Sequence, residues 1–460
     1  MNGKAVVVGG GITGLSIAYS LKKEGVDVSL FEKERAAGGF IRSENKGGYL
    51  IELGPNSLLN INAQLDGFCH ELGLDQEKIF QSQESKSRYI LKNGTMVPLP
   101  RTPKEFIFTP LLSFTGKMRV VAEPFISPLP FKKNESISQF VQRRFGKEFL
   151  NYVVDPMIEG IYAGDPETLS MEATFSRLCL LEERYGSLLK GFVKKRKEEK
   201  RDKRIDLFSF KNGMGSLTQT LAKIIGEGFE NETDITSLSK KASERRKFVL
   251  TANHKGKGMT RQIEADSVVL AAPAYESAKL ANHLSPGLSK QLESILYAPV
   301  IIINFGFPKS NLTKPFQGSG CLIPKKENFS LLGFRVNSNL YPGRAPEGKT
   351  ILTCFLGGVR NSHMLQKRDD ELVNLTLNEL KTLVGVKNRP EFVNVTRHPR
   401  AIPQYDLSHH LKLEAIEKEL SQIPGLYLAG NYLKGVSVWD CLSQGLKLGK
   451  SIALKMKCQN

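Results

Sequence analysis

The segment that most constrains the fold is AVVVGGGITGLSIAYSLKKEG, at residues 5–25 of a 460-residue chain. An apolar, β-branched strand runs directly into GGGITG, residues 9–14, and an amphipathic helix follows and ends at Gly25. This is a G-x-G-x-x-G turn, whose glycines permit a tight turn, close approach to a pyrophosphate, and packing of the helix on the strand. The helix N-terminus offers free N–H groups to phosphate. The segment therefore predicts a β-α-β unit of a doubly wound sheet that binds a dinucleotide.

A second apolar strand, VDVSLF at 26–31, ends at Glu32. A carboxylate at this position can accept hydrogen bonds from the hydroxyls of a ribose. The alternative is a Gly-rich packing turn beside a solvent-exposed Glu32. Because strand, helix and terminal acid are in register, dinucleotide binding is the stronger interpretation.

The chain closes with a similar element, LYLAGNYLKGVSVWDCLSQGLKLGKSIA at 426–453, in which a strand, a glycine turn and a helix again follow one another. Small side chains recur at every fourth position of this helix, at Ser437, Cys441, Gly445, Gly449 and Ala453. Such a ridge lets a helix lie close to its neighbour. We expect this element to return to the opening sheet, with its helix N-terminus directed at the same cofactor.

The composition favours an anionic partner, since 65 Lys and Arg against 47 Asp and Glu give a formal net charge of +18. The densest basic run, KKRKEEKRDKR at 194–204, is predicted to be a solvated loop, with contact to an anionic membrane as the alternative. The sequence contains no zinc finger and no aromatic-interleaved RNA motif, so no nucleic-acid partner is predicted.

The remaining global features predict an intracellular protein. The longest apolar runs, SVVLAAPA and PVIIINFGF, are too short to span a bilayer and are typical of buried strands. The first strand begins by Ala5, which leaves no room for a secretion signal. Six cysteines are scattered without a Cys-x-x-Cys pair, as suits a reducing cytosol, and we expect no metal site.

The length predicts about three structural units at ~150 residues each. Residues 86–99 are typical of a hairpin that turns at Asn93-Gly94. Residues 103–195 are mostly helical in pattern and include one amphipathic helix over 136–154. Residues 297–360 favour strands, and residues 369–384 favour a helix.

Several of these segments together resemble the oxygen-dependent protoporphyrinogen oxidase family. The resemblance runs from Val6 to about Gly449 and rests on VVVGGGITGLSIAYSL, GGFIRS, ELGPNSLL, SRYILKNG, SISQFVQRRFGKEF, GIYAGDPETLSMEATF, IPQYDLSHHLKLE and AGNYLKGVSVWDCLSQG. The flavin-related pieces are shared with amine oxidases and carotenoid desaturases. GIYAGDP and IPQYDLSHH are much more particular to this family.

The resemblance implies an α/β fold: a doubly wound, Rossmann-like FAD-binding domain, a mixed-sheet substrate domain and a helical membrane-binding domain. The implied FAD-binding domain is discontinuous and comprises residues 1–85, 205–270 and 420–460. The substrate domain comprises 86–102 and 271–419, and the helical domain comprises 103–204. The helical domain carries two apolar candidates for peripheral membrane contact, FIFTPLLSF and PFISPLPF.

The resemblance also implies which residues bind FAD. They are Gly9, Gly11, Ile12, Thr13, Gly14, Glu32, Lys33, Gly39, Arg42, Gly54, Pro55, Asn56, Ile235, Gly430, Asn431, Val436, Ser437 and Val438. The pair Gly38-Gly39 is typical of flavoproteins of the amine-oxidase type, near the pyrophosphate. Phe40 stands where many relatives have a basic residue, so Arg42 is the candidate for a phosphate contact, with a surface salt bridge as the alternative.

The implied substrate residues are Arg88, Asn56, Gly164, Leu322, Leu332 and Phe355. Arg88 resembles the family arginine that pairs with a substrate propionate, and a guanidinium fork can bind a carboxylate through two hydrogen bonds. Asn56 would orient the flavin ring, and the three apolar side chains would contact a macrocycle. Ordinary turn geometry at Asn56 and Gly164, and ordinary core packing at the apolar positions, are the alternatives.

The implied activity is oxidation of protoporphyrinogen IX to protoporphyrin IX, in three two-electron steps, with dioxygen reduced to hydrogen peroxide. No catalytic side chain beyond the flavin is predicted, and the adjacent pair His409-His410 is interpreted as non-catalytic. Coproporphyrinogen III oxidation, a flavin amine oxidase or desaturase, and a basic binding protein that retains a flavin are the alternatives. We further expect a monomer or homodimer at the inner face of the cell membrane.

Overall fold

The computed structural model describes residues 3–60, 63–128, 134–198, 206–241, 247–256, 258–314 and 316–458. The strands are β1 Lys4–Val8, β2 Asp27–Phe31, β3 Ser43–Lys46, β4 Tyr49–Glu52, β5 Leu58–Leu59, β6 Lys78–Phe80, β7 Arg88–Lys92, β8 Thr95–Pro98, β9 Leu207–Phe210, β10 Phe229–Glu230, β11 Thr233–Lys240, β12 Phe248–His254, β13 Met259–Ala265, β14 Ser267–Leu270, β15 Tyr297–Pro308, β16 Gly320–Leu322, β17 Leu331–Val336, β18 Lys349–Gly357, β19 Phe392–Pro403 and β20 Leu426–Leu428. The helices are α1 Ile12–Lys23, α2 Ala63–Glu71, α3 Pro103–Phe108, α4 Phe114–Val121, α5 Ile137–Phe145, α6 Lys147–Phe149, α7 Asp155–Tyr162, α8 Met171–Tyr185, α9 Leu188–Glu198, α10 Gly215–Ile225, α11 Ala274–Ala281, α12 Pro286–Glu293, α13 Asn337–Leu340, α14 Asp369–Val384, α15 His409–Ser421 and α16 Val438–Cys458.

A parallel sheet joins the beginning and the end of the chain. Its strand order is β10-β2-β1-β14-β20, with Val8 paired to Phe31 and to Leu270, and Leu270 paired to Leu428. Strands β1 and β14 are buried on nearly every residue, which suits a sheet covered on both faces. The prediction that the closing element returns to the opening sheet is confirmed.

Helices α1 and α16 lie directly against each other on this sheet. A Cβ atom at Gly445 would lie 2.7 Å from the Thr13 carbonyl oxygen, and one at Gly449 would lie 2.6 Å from the Ser20 Cβ. The Ser20 hydroxyl donates to the Leu446 carbonyl across the contact, at 3.0 Å. The predicted ridge of small residues therefore packs on the helix of the first glycine turn.

A seven-stranded mixed sheet has the order β19-β15-β18-β17-β16-β7-β8. The β7–β8 hairpin turns at Asn93 and Gly94, which have φ angles of 51° and 72°, as the sequence predicts. One face is covered by α14, whose bounds match the predicted 369–384. An apolar core forms there from alternate residues of the central strands, such as Cys321, Phe334 and Cys354.

The segment between β8 and β9 is helical, but two predictions within it are wrong. The predicted helix over 136–154 is interrupted at Gly146, whose φ of 87° no helix adopts, and residues 150–154 form a π-helical turn. The basic run at 194–204 is not a loop throughout, because α9 extends through it to Glu198, and residues 199–204 lie outside the described part of the chain. Within the described ranges, no helix is long and apolar enough to cross a membrane.

A buried ion pair holds these helices together. Arg144 and Glu123 are both fully buried, and Glu123 also accepts hydrogen bonds from the Ser187 hydroxyl and from the Leu188 and Leu189 amides. The arrangement satisfies a buried carboxylate whose desolvation would otherwise be costly.

We expect Gly445→Ala to destabilise the protein by about 1–3 kcal/mol, because a methyl group there meets the α1 backbone, which has no room to move. Thermal unfolding and the FAD content after purification measure the effect. Gly67→Ala, in α2, is the matched control: no atom lies within 4 Å of its Cβ position, so stability should be unchanged or higher. Equal melting temperatures for the two variants would contradict the close helix contact.

Candidate active site

The candidate cofactor crevice lies at the carboxyl ends of the parallel strands. Gly9 follows β1, Glu32 follows β2, and Gly430 lies two residues beyond β20 in the same sheet. Ligands of doubly wound sheets bind outside the carboxyl ends of the strands, where the topology leaves a gap. Predicted residues more than 400 positions apart in sequence are thereby brought to one edge.

The first glycine turn has the geometry of a phosphate site. Gly9 has a φ of 110°, and a Cβ at Gly14 would lie 1.9 Å from the Gly9 carbonyl oxygen. Helix α1 begins after Gly11 without a side-chain cap and without an acid in its first turn. Its first N–H groups and its positive dipole end therefore remain available to an anion.

Glu32 is buried beside this turn. Its Oε2 accepts a hydrogen bond from the Gly10 amide at 2.7 Å, and its Oε1 accepts one from the Glu34 amide at 2.9 Å. Burial raises the pKa of the Glu32 carboxyl, and the two amide hydrogen bonds oppose that shift. A buried carboxylate at the end of β2 is suitably placed to accept from ribose hydroxyls.

The second glycine pair reaches the first turn. The Gly38 amide donates to the Gly10 carbonyl at 2.8 Å, and a Cβ at Gly39 would lie 3.4 Å from the Gly11 Cα. Nearby in sequence, the Nε of Arg42 is buried without a hydrogen-bond partner among the described residues. The unpaired Arg42 donor and the free N–H groups at the start of α1 suit a pyrophosphate, and the buried Glu32 suits a ribose. Together they fit a bound dinucleotide.

The other predicted cofactor residues occupy three places. Gly54, Pro55 and Asn56 follow β4, and a Cβ at Gly54 would lie 2.1 Å from the Phe40 carbonyl oxygen. Ile235 is buried in β11, whereas Lys33 is exposed and forms an ion pair with Glu276 at 3.2 Å. The closing set of predicted residues is Gly430, Asn431, Val436, Ser437 and Val438, which lie between β20 and the first residue of α16.

The three apolar residues predicted to contact the substrate, Leu322, Leu332 and Phe355, lie on the face of the mixed sheet opposite α14. Leu322 pairs with Ile90 and Gly333, and Gly333 pairs with Phe355, so these positions share one face. Leu332, at a bulge in β17, packs with Phe355 and Ala163 in a small apolar cluster on that face. Helix α7 covers part of it, since a Cβ at Gly160 would lie 2.9 Å from the Leu322 Cδ2.

Gly164 lies where the GIYAGDP and IPQYDLSHH segments meet. A Cβ at Gly164 would lie 2.5 Å from the Gln404 Oε1, and the Gln404 amide donates to the Tyr162 carbonyl at 2.9 Å. The Ser170 amide donates to the Tyr405 carbonyl at 2.8 Å. A larger residue at Gly164 would displace the Gln404 and Leu169 side chains, so close packing accounts for a glycine here whether or not a substrate lies against it.

Arg88 begins β7 at the edge of the same face. It is exposed, and its guanidinium has no ion-pair or hydrogen-bond partner in the described ranges. Partial burial of the guanidinium lowers the pKa of Arg88, a nearby Tyr341 opposes this shift, and Arg101 adds to it. An arginine held without a counter-ion is a ready site for a carboxylate.

Asn56 connects the nucleotide crevice to the sheet face through residues that the sequence did not indicate. The Asn337 amide donates to the Asn56 Oδ1 at 3.0 Å and to the Thr353 hydroxyl at 2.8 Å, and Thr353 donates to the Asn304 Oδ1 at 2.6 Å. The Nδ2 of Asn304 and the Oδ1 of Asn337 remain buried without partners among the described atoms. Only the pairing of β15, β17 and β18 brings these polar residues together, so no local pattern marks them.

A dinucleotide crevice on a parallel sheet, joined to a mixed sheet by one polar network, is the arrangement of a dinucleotide-dependent oxidoreductase. The chain belongs to the flavin containing amine oxidoreductase family, whose model matches residues 12–448. The cofactor is FAD, and the enzyme class is an FAD-dependent oxidase.

Several curated relatives match nearly the whole chain, among them one from Arabidopsis thaliana and one from Bacillus subtilis. Protoporphyrinogen oxidase 2, chloroplastic/mitochondrial, of Arabidopsis thaliana is 32% identical over 97% of this chain and 93% of its own length. Coproporphyrinogen III oxidase of Bacillus subtilis (strain 168) is 29% identical over 96% of both chains. Among solved structures, a provisionally named protoporphyrinogen oxidase from Exiguobacterium sp. 255-15 superposes with a TM-score of 0.82 and 24% identity, covering 99% of each chain. That likeness concerns the fold.

We expect Glu32→Gln to weaken FAD binding by about tenfold or more, since a hydrogen bond to a charged group contributes ~1.5–3 kcal/mol. Titration of the apoprotein with FAD, followed by the change in flavin fluorescence, measures the dissociation constant. The control is Glu34→Gln, two residues further along the chain and exposed, which should bind FAD as the unaltered protein does. Equal affinities in both variants would reject a ribose contact by Glu32.

Proposed function

We propose that this protein oxidises a porphyrinogen to the corresponding porphyrin in haem biosynthesis, with dioxygen as the final electron acceptor. The observation that carries the proposal is the composition of one sheet face. Arg88, which has no counter-ion among the residues that the structure describes, lies at its edge, and apolar side chains of Leu322, Leu332 and Phe355 lie further in. A flat apolar macrocycle with carboxylate side chains is complementary to such a face.

A porphyrinogen loses six hydrogens to become a porphyrin, so three two-electron steps are required. When bound, FAD would supply the redox chemistry of each step: two electrons and two protons would leave the substrate and, with dioxygen as the oxidant, end as hydrogen peroxide. The chain itself would bind and orient the substrate. Arg88 would hold a propionate, Asn56 would help to fix the ring of the cofactor, and the apolar side chains would exclude water from the reacting carbon.

The relatives support this substrate class, because both are named for porphyrinogen oxidation. We place protoporphyrinogen IX first, since the relative with the higher identity is named for it. Coproporphyrinogen III, which carries four propionates, is the second candidate and is supported by the Bacillus subtilis relative. An amine substrate would instead be indicated by peroxide formation with amines alone.

Anaerobic mixing of the holoenzyme with protoporphyrinogen IX tests the proposal, and we expect the flavin absorbance near 450 nm to bleach in a stoichiometric reaction. Admission of oxygen should then release porphyrin and hydrogen peroxide in a ratio of about one to three, as the six-hydrogen balance requires. A flavin that stays oxidised with both porphyrinogens rejects the proposed function.

We expect Arg88→Ala to raise the KM for the porphyrinogen by about tenfold or more while leaving the FAD content unchanged, because the lost interaction is a charged hydrogen bond to substrate. Steady-state kinetics and the flavin-to-protein absorbance ratio measure the two effects. Loss of FAD with an unchanged KM would assign Arg88 to the cofactor instead.

We further propose that the helical segment binds peripherally to the anionic inner face of the cell membrane. Helices α3 and α4 and the turn after them expose several large apolar side chains: Ile107, Phe108, Phe114, Met118, Val121 and Phe125. Phe125 is 87% exposed, which is unusual for a phenylalanine unless it meets a partner. Exposed basic residues lie on α3 and α9, including Lys104, Lys190 and Lys194. Residues 129–131 of the predicted PFISPLPF candidate lie outside the described ranges.

The triple variant Phe108→Ser, Phe114→Ser and Phe125→Ser should bind vesicles of acidic phospholipid at least about tenfold more weakly, since each buried aromatic side chain contributes ~1.5–3 kcal/mol. Flotation of the protein with vesicles provides the measurement. The matched control replaces three exposed apolar residues elsewhere, Met259, Leu411 and Leu454, with serine. Equal losses in the two triple variants, or no flotation of the unaltered protein, would contradict the assignment.

A further inference from the structure

A second arginine stands beside Arg88 without a counter-ion. Arg335 lies in β17 and is half-buried, and it forms no ion pair and no side-chain hydrogen bond within the part of the chain that the structure describes. Burial lowers the pKa of Arg335, Tyr341 opposes that shift, and the charge of Arg88 adds to it. The two guanidinium groups are thus close enough to act on each other.

The strand register places the two arginines on the same face. Gly320 in β16 pairs with Arg88 on one side and with Arg335 on the other. Paired residues in a sheet project to the same side, and neighbouring strands are ~4.8 Å apart, so the two Cα atoms are ~10 Å apart. The residues one step along these strands, Tyr89, Cys321 and Phe334, belong to the apolar core on the opposite face.

The residue between the two arginines, Gly320, contributes no side chain to this face. A Cβ there would lie 2.3 Å from the Phe334 carbonyl oxygen, so no other residue fits without a shift of the backbone. Past Arg335, the same register continues through Thr353 and Asn304, which are polar and uncharged. Across these five paired strands, the two cations therefore lie toward β7 and the neutral polar groups lie toward β15.

An unpaired cation inside a protein is costly, because desolvation is not repaid by an opposite charge. By contrast, a partly buried arginine with a structural role in this chain is paired with carboxylates. Arg360, after β18, bonds to Glu159 at 2.7 Å and to Asp165 at 2.9 Å, and it lies 2.7 Å from Asp155. Arg335 is partly buried and has no such partner among the described residues, and neither has the exposed Arg88 beside it, so we expect the carboxylates that pair with them to come from a ligand.

We propose that Arg335 is a second substrate-binding residue, and that Arg88 and Arg335 together clamp two carboxylates on one edge of the porphyrinogen. The inference rests on the proposed function and adds the number and position of the carboxylates. Further along the same strands, Leu322 and Phe355 are apolar, and these two positions offer no charge to additional carboxylates. The site therefore favours a macrocycle whose carboxylates are confined to one edge, as in protoporphyrinogen IX, over one with four propionates.

Three substrates test the clamp: protoporphyrinogen IX, its monomethyl ester and its dimethyl ester. With the unaltered holoenzyme, we expect each esterification to raise KM by about tenfold, since each removes one charged hydrogen-bonded contact. With Arg335→Leu, KM for the diacid should already be about tenfold higher, and the first esterification should have little further effect. Only the second should raise KM again, because Arg88 retains one carboxylate.

A stability measurement separates a binding role from a structural one. Because Arg335 is an uncompensated cation, Arg335→Leu should leave the melting temperature unchanged or raise it, whereas loss of a structural arginine lowers it. Arg335→Lys, which keeps the charge but not the fork, should recover part of the affinity. Arg389→Leu is the control for net charge: it is exposed and precedes β19, at the far edge of the sheet, and should leave KM unchanged.

The outcomes distinguish the clamp from the function on which it rests. An unaltered enzyme whose flavin is bleached neither by these three substrates nor by coproporphyrinogen III rejects the proposed function. Bleaching by coproporphyrinogen III alone rejects the clamp and not the function. If the unaltered enzyme oxidises the diacid and the diester with the same KM, the clamp alone is rejected. It is also rejected if the first and second esterifications raise KM equally in the Arg335→Leu variant. A lower melting temperature of Arg335→Leu with unchanged ester dependence likewise assigns Arg335 to structure. If Arg335→Leu does not fold, the ester series on the unaltered enzyme still decides whether two carboxylates are bound.

Discussion

The contact between α1 and α16 is the constraint on which the rest of the structure depends. These helices follow the first and last glycine turns, and they approach so closely that Gly445 and Gly449 have no room for a side chain. The contact fixes β1, β14 and β20 in one parallel sheet, with their carboxyl ends at one edge. A crevice for a long dinucleotide is thus assembled from opposite ends of the chain, and everything inserted between them is positioned relative to that crevice.

The mixed sheet then divides its two faces between stability and binding. One face is sealed by α14 over a continuous apolar core, which supplies most of the hydrophobic stabilisation of this region. The other face carries Thr353, which bonds to the Asn337 that holds Asn56, and two arginines without ion-pair partners among the described residues, groups that a core optimised for stability would not retain. The acidic residues around Arg360 also crowd one another: burial and the neighbouring Asp155 raise the pKa of Glu159 to about 7. Electrostatic cost is concentrated around the face that meets α7 and the nucleotide crevice.

Much of this arrangement could be predicted from local patterns. The glycine turn, the strand that precedes Glu32, the hairpin at Asn93-Gly94 and the helix over 369–384 each follow from short-range chemistry, and each is found where it was predicted. The helix over 136–154 was wrong because the amphipathic period continues past Gly146, while the backbone there takes a positive φ. The roles of Asn337 and Arg335 could not be read from the sequence, because their neighbours are supplied by strand pairing and not by chain proximity.

The sequence by itself determined the dinucleotide turn and the close-packed closing helix, because these depend on glycine spacing and hydrophobic period within a single segment, and its resemblance to a known family implied the flavin class. Only the tertiary structure decided the strand register of the sheet that the two terminal turns share, the approach of Gly38 and Gly39 to Gly10 and Gly11, and the position of two arginines on either side of Gly320. The physical reason is that register and long-range packing are set by the summed burial of many distant side chains, and no local stretch encodes that sum.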